Sequence, residues 1–283
     1  MPELQLRGGE VDGLRLHYVV EGRGPAVILV HGLGGFAETW RHNIEPLARR
    51  ATVYAVDLPG FGASAKPRSR YRLGNFAGAL RGFMNGLGLA QASLVGHSLG
   101  GAVSVTYALM HPSRVERLAL VGAVVPGCSF RPSWAFRAVA IRGLGEIASS
   151  VAWAGLYKAC LARCFHIPDR AEVDFFVDYR YAARTELAAR AAYLSTLRDV
   201  RIDMETHAHD YRRAMATLEL PVLLIHGRQD RVVPASHCDE VAALVPHASV
   251  RRVDACGHFP QIEHAEAVNG WLVDFLVGRP APR

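Results

Sequence analysis

Lysine is almost missing from this chain: of 32 basic residues only Lys66 and Lys158 are lysines, and the others are arginines. They are spread along the whole length. The formal charge of +6 therefore reads first as the base composition of the source genome, ahead of an acidic partner or a membrane surface, and no nucleic-acid stripe is expected. Cysteine is sparse and odd in number. Cys128, Cys160, Cys164, Cys238 and Cys256 have no framework spacing. Cys160 and Cys164 share a helical face, yet no second Cys/His pair completes a zinc site, so buried free thiols are expected. No apolar run approaches the ~20 residues of a membrane span; the longest surrounds Ile147 to Leu156. The opening MPELQLRGGEVDG has no apolar signal core, and a cytoplasmic location is the expectation. Repeats and low-complexity tracts are missing too. What the chain does have is 283 residues, half of them hydrophobic, which is enough for a large core and excludes disorder or a disulfide-stapled miniprotein.

From Leu4 to Gly122, short β-rich apolar runs alternate with helical patterns. Leu14–Val20 alternates like an exposed early strand. Val27–Val30, Val53–Val56, Ala92–Val95 and Leu118–Val121 are continuous apolar runs, as strands buried on both faces require. Thr39–Arg49, Leu73–Leu87 and Ser98–Met110 read as helices between them. The rhythm stops at Pro126. Residues 126–217 are helical and carry many aromatics, Trp134, Trp153, Phe165, Phe176 and Tyr179 among them, which suit a small helical core with some members lining an apolar pocket. The α/β rhythm resumes with Pro221–Gly227, a helix near Ser236–Leu244, a strand at Ser249–Val253 and a last helix over Glu263–Val277. The expected fold is α/β, with a mostly parallel sheet of the eight-stranded type flanked by helices. Residues 1–125 and 218–283 form its core domain, and 126–217 form a helical cap inserted after the sixth strand.

Gly96-His97-Ser98-Leu99-Gly100 follows a strand and opens a helix, the context of a nucleophile elbow. A serine on that turn presents its oxygen above the sheet, and small residues two positions away relieve the crowding. Such a hydroxyl needs a base. Among 13 histidines, His258 in Gly257-His258-Phe259-Pro260 lies after the last strand and before the last helix, where a loop reaches the same sheet edge. His97 should point elsewhere, His31 reads as a structural hydrogen-bonder, and His207 and His209 belong to the inserted region. The imidazole needs a carboxylate. Asp230 follows the strand Val222–Ile225 and gives the order Ser98, Asp230, His258, whereas Asp57, leading into Leu58-Pro59-Gly60, reads better as a turn cap. His31-Gly32-Leu33-Gly34-Gly35 follows a buried strand, so the backbone N–H groups of Leu33 and Leu99 are the expected oxyanion donors.

HGLGG, DLPGFGAS, GHSLGG, GRQDRVVP and GHFPQIEHAE, in this order, resemble the α/β-hydrolase fold superfamily over about 1–125 and 218–278. The resemblance implies a serine hydrolase that forms an acyl-enzyme and uses no metal or organic cofactor. A serine in place of an aspartate nucleophile speaks against the dehalogenase and epoxide hydrolase branches. The carbon–carbon bond hydrolases of aromatic catabolism often have proline where this chain has Gly35.

The leading expectation is a serine esterase for hydrophobic short-to-medium carboxylic esters, a small-molecule partner. Carbon–carbon hydrolysis of a dienoate shares the machinery and would require a cap residue such as Arg131, Arg137 or Arg180 to hold a carboxylate. An amidase or iminopeptidase would need an acidic amine site, for which Glu172 and Asp174 are the candidates. A third variant would take an acyl chain from an acidic carrier protein, and a rival of another class is a ligand-binding receptor on a hydrolase scaffold. A homodimer is compatible with all of these and required by none.

Overall fold

The computed structural model describes residues 2–130, 132–183 and 186–278, the side chains of 180–183 excepted. Eight strands form one sheet: β1 (Glu3–Gln5), β2 (Arg15–Gly22), β3 (Ala26–Val30), β4 (Thr52–Val56), β5 (Ala92–His97), β6 (Val115–Val121), β7 (Val222–Gly227) and β8 (Ser249–Val253). Their spatial order is β1-β2-β4-β3-β5-β6-β7-β8. β1 with β2 and β2 with β4 pair antiparallel; every later pair is parallel. Parallel neighbours need crossovers, and helices supply them: α1 (Arg41–Ala48), α2 (Leu73–Gly86) and α3 (Leu99–Met110) in the first part.

Residues alternate between the two faces of the sheet. Ile28, Val30, Leu94, Leu118 and Leu224 pack with α2 and α3 through Phe76, Phe83, Val103 and Tyr107. Val27, Leu29, Val95, Ala119 and Ile225 face the other way, against Trp40, Leu47, Val268 and Leu272. Both faces are apolar, which is why these strands read as continuous apolar runs. Each fully buried large side chain contributes roughly 1.5–3 kcal/mol. Gly100 and Gly101 let α3 lie against the sheet at backbone distance, because a Cβ on Gly100 would overlap the Val30 carbonyl.

Between β6 and β7 the described chain is helical: α4 (Trp134–Ala140), α5 (Leu144–Val151), α6 (Ala154–Ala162), α7 (Arg170–Ala183), α8 (Leu187–Thr206) and α9 (Ala208–Met215). After β7 come α10 (Ala235–Leu244), β8, α11 (Pro260–Glu263) and α12 (Ala265–Val277). No helix of the described residues is long and apolar enough to cross a membrane.

The structure departs from the sequence expectation in detail. β1 is a three-residue edge strand with no apolar run to announce it. The last helix is two, broken at His264, whose φ of −134° leaves the helical region. Cys128, Cys238 and Cys256 are buried, but Cys160 is exposed on α6, and Cys164 is only partly buried, at the margin of an aromatic cluster. Trp134 and Trp153 line no core either; they are 81% and 64% exposed.

Candidate functional site

Ser98 sits between β5 and α3 with φ 51° and ψ −118°, a left-handed conformation that costs a non-glycine residue about 1–3 kcal/mol. The surroundings hold it there. Its N–H donates to the Val121 carbonyl at 3.2 Å, and its carbonyl accepts from Gly101 and Val124 at 3.0 and 3.1 Å. A Cβ on Gly96 would overlap the Gly100 carbonyl, so glycine is required two residues before the serine. Leu99 opens α3, and the first N–H groups of a helix have no intrahelical partner. Gly32 lies beside the serine, with its Cβ position 3.0 Å from Ser98 Cβ, which brings the Gly32–Gly35 turn and Leu33 to the same place. Leu33 and Leu99 thus remain the candidate oxyanion donors.

Asp230 follows β7 and is buried. Its Oδ1 accepts the N–H groups of Val232 and Val233 at 2.7 and 2.9 Å, and its Oδ2 accepts from His258 Nδ1 at 2.8 Å. Burial opposes its ionisation, yet the His258 charge and hydrogen bonds from His226 and His258 hold its carboxyl far below the usual carboxylate range. Its contribution to stability is therefore complete above the ordinary carboxylate pKa and is lost only as pH falls through the depressed value, in strong acid. His226 Nε2 stands 3.4 Å from Oδ2 and donates to the Val233 carbonyl at 2.8 Å, bracing the loop. Gly122, at the end of β6, has its Cβ position 3.5 Å from His258 Nδ1 and 3.7 Å from Asp230 Oδ2. A side chain there would press on the pair.

The His258 loop is held by groups that spacing did not single out. His97 turns away from its neighbour Ser98 and donates from Nε2 to the His258 carbonyl at 2.8 Å, with the two rings 4.8 Å apart. Burial, with the nearby His258 charge, pushes the His97 pKa down to about 3, so it stays a neutral donor. His258 N–H donates to the Cys164 carbonyl at 2.7 Å. Glu263 Oε1 accepts from Gly257 and Phe259 N–H at 3.0 and 3.3 Å, and Oε2 from His166 N–H at 2.7 Å. The only signal for Glu263 in the sequence is an acid a few residues past a Gly-His. Glu263→Ala is expected to lower kcat by about 10²-fold through misplacement of His258, with KM nearly unchanged and Glu263→Gln intermediate. Steady-state kinetics on the three proteins check this.

An aromatic cluster joins these loops to the helical insertion. Phe36, following HGLGG, stacks on Tyr179 of α7 at 3.6 Å between centroids. Phe259 meets Phe165 and Phe176 at 4.9 and 5.2 Å. Leu161, Val173 and Val177 complete the cluster. The proposed amine sites are engaged elsewhere: Glu172 binds Arg41 and His42, and Asp174 binds Lys158. Asp57 does more than cap a turn. It takes Ala63 N–H at 2.8 Å as a cap would, but also Ala37 N–H and His17 Nδ1. His31 bridges the Gly32 carbonyl and the Leu58 N–H as a structural group. Arg137 is exposed at a cavity mouth, while Arg131 and the Arg180 side chain lie outside the described residues.

A family model of the alpha/beta hydrolase fold matches residues 25–265. The chain is 30% identical over 278 residues to a 2-hydroxy-6-oxononadienedioate/2-hydroxy-6-oxononatrienedioate hydrolase of Pseudomonas putida, covering 96% of this chain and 94% of the relative. Among solved structures it resembles the 2-hydroxy-6-oxo-6-phenylhexa-2,4-dienoate hydrolase of a Rhodococcus species, with a TM-score of 0.83 and 28% identity over 97% of this chain and 98% of that one. The enol-lactonase of Burkholderia xenovorans is similar at a TM-score of 0.79 and 26% identity, covering 97% and 99% of the two chains.

Proposed function

The chain belongs to the alpha/beta hydrolase fold family, and from that membership we propose a serine hydrolase that cleaves a carbon–carbon bond next to a ketone in a 2-hydroxy-6-oxo-dienoate. The observation that carries the substrate class is the end-to-end similarity to the dienedioate hydrolase of P. putida. It outweighs Gly35, which favoured esters on sequence alone: one loop residue says less than a match over both whole chains.

In this reading Ser98 Oγ attacks the ketone carbon while His258 takes its proton and Asp230 stabilises the imidazolium. Leu33 and Leu99 N–H groups hold the oxyanion. Collapse breaks the carbon–carbon bond. The dienol must first tautomerise, its C2 hydroxyl proton moving to C5, so that on cleavage the electron pair passes through the enone to the C2 oxygen. That oxygen takes the proton from His258, and water then hydrolyses the acyl-serine. The aromatic cluster around Phe36 and Phe259 supplies an apolar wall for the acyl portion, with the helices of 126–217 as the cap over it. The substrate carboxylate needs a cationic partner from residues 126–217, for which Arg131, Arg137 and Arg180 are the candidates. Ester hydrolysis is the second reading, favoured by the similarity to the enol-lactonase. Amine-bearing substrates fall behind both, since Glu172 and Asp174 are already paired.

The test sets 2-hydroxy-6-oxo-6-phenylhexa-2,4-dienoate against p-nitrophenyl esters from acetate to laurate. The expected kcat/KM is about 10²-fold or more higher for the dienoate, and replacing Arg131, Arg137 and Arg180 by Gln, one at a time, finds the residue on which that preference depends. Faster ester turnover, untouched by any of the three substitutions, would overturn the dienoate reading and leave an esterase.

A further inference from the structure

Helices of soluble proteins turn their large apolar side chains inward; α5 does the reverse. Leu144, Ile147 and Val151 recur at helical spacing and face solvent, the last two 63% and 68% exposed. The helix rests on the molecule through Gly145 and Ala152, with Gly145 close against Arg198 and Leu194 of α8. Its carboxylate, Glu146, is bound by Arg198 at 2.7 Å. The exposed apolar side chains continue on both sides. Trp134 and Ile141 line one cavity of about 790 Å³ next to Arg137, and Trp153 and Leu156 follow at the start of α6. Among the described residues, eight of the twelve exposed large hydrophobic side chains lie between positions 134 and 167.

The same stretch of sequence is basic, although Lys158 and Arg170 within it are paired with Asp174. Residues 131–170 hold six basic and two acidic side chains, so four of the six net positive charges of the whole chain fall in this stretch. Arg137, Arg142 and Arg163 are exposed and have no ion-pair partner among the described residues. Exposed tryptophan and branched aliphatics rimmed by unpaired arginine are what an anionic lipid interface selects. A second copy of the chain fits less well, because a two-fold contact of this face with itself would set arginine against arginine.

We propose that the α4–α5 face, continued by Trp153, is a docking surface for an anionic phospholipid membrane, with Ile147, Val151 and Trp153 inserted at the headgroup boundary and Arg137 and Arg142 held by lipid phosphates. The inference is independent of the chemistry at Ser98. Each arginine contributes about five-fold to partitioning. The test is co-sedimentation of the full chain with vesicles of phosphatidylcholine alone and with phosphatidylglycerol added. Binding is expected to be about ten-fold or more stronger on the anionic vesicles and to fall with salt. Ile147→Ser/Trp153→Ser and Arg137→Glu/Arg142→Glu should each lose at least about ten-fold, with unchanged melting temperatures because all four side chains are exposed. Equal binding to both vesicles, or to neither, would overturn the proposal. So would a dimer in analytical ultracentrifugation that Ile147→Ser/Trp153→Ser converts to monomer without any vesicle binding, since the face would then belong to a second copy.

Discussion

Ser98→Ala is expected to lower turnover by about 10⁴–10⁶-fold and to leave the melting temperature unchanged or slightly raised. The loss is large because the serine oxygen is the proposed nucleophile, and its removal leaves no covalent route. The fold survives because the elbow is set by Gly96, Gly100 and the hydrogen bonds of the Ser98 backbone, none of which uses the hydroxyl. His258→Ala should cost nearly as much, and the double variant little more than either single one, since a nucleophile and its base act as one unit. Asp230→Asn should retain somewhat more activity, at about 10³–10⁴-fold below wild type. Single-turnover kinetics with the preferred substrate measure all four. Undiminished turnover by Ser98→Ala would remove the serine from the mechanism, and a harmless Asp230→Asn would make another carboxylate the partner of His258.

The second large effect is on stability. Asp57→Ala is expected to cost about 3–5 kcal/mol, because it strands the buried Ala37 N–H and the His17 imidazole in the interior and takes the acceptor from the part-buried Ala63 N–H. For a chain of this size that lowers the melting temperature by about 10 °C. Asp57 is 1% exposed and accepts from Ala37 N–H at 2.6 Å, Ala63 N–H at 2.8 Å and His17 Nδ1 at 2.8 Å. It thereby ties the segment after HGLGG to the turn after β4 and to β2. Gly62, at φ 55°, is pressed so close to the carboxyl that any Cβ would overlap it. The pair also gives stability a pH dependence. The hydrogen bond that His17 donates to Asp57 raises the pKa of His17 in spite of burial. A raised histidine pKa stabilises fully below the unfolded value of about 6.5, and that part is lost as pH rises through the folded value. Urea midpoints of the wild type should therefore fall from mildly acid to alkaline pH, and His17→Asn should flatten the slope.

The α/β alternation was legible in the sequence because parallel strands covered on both faces must be apolar throughout, as Val27–Val30 and Val222–Ile225 are. β1 was not, since three half-exposed residues carry no such mark. The strand ends bearing Ser98, Asp230 and His258 were readable from the order of elements. The groups that brace them were not. His97 reaches the carbonyl of a residue 161 positions away, and His17 meets Asp57 across 40. Such pairs are set by which strands become neighbours, here β2 beside β4, and no local pattern encodes that. The inverted face of α5 escaped for a related reason: amphipathic spacing reports that a helix has an apolar side, not which way that side is turned.

The hydrogen bond from His258 N–H to the Cys164 carbonyl, with Glu263 gripping both Gly257 and His166, makes an interlock. Any excursion that lifts the turn after α6 off the sheet also draws the imidazole off station. With His258 as the proposed base, parting that seam would disarm it, and a ligand would have to enter along another edge.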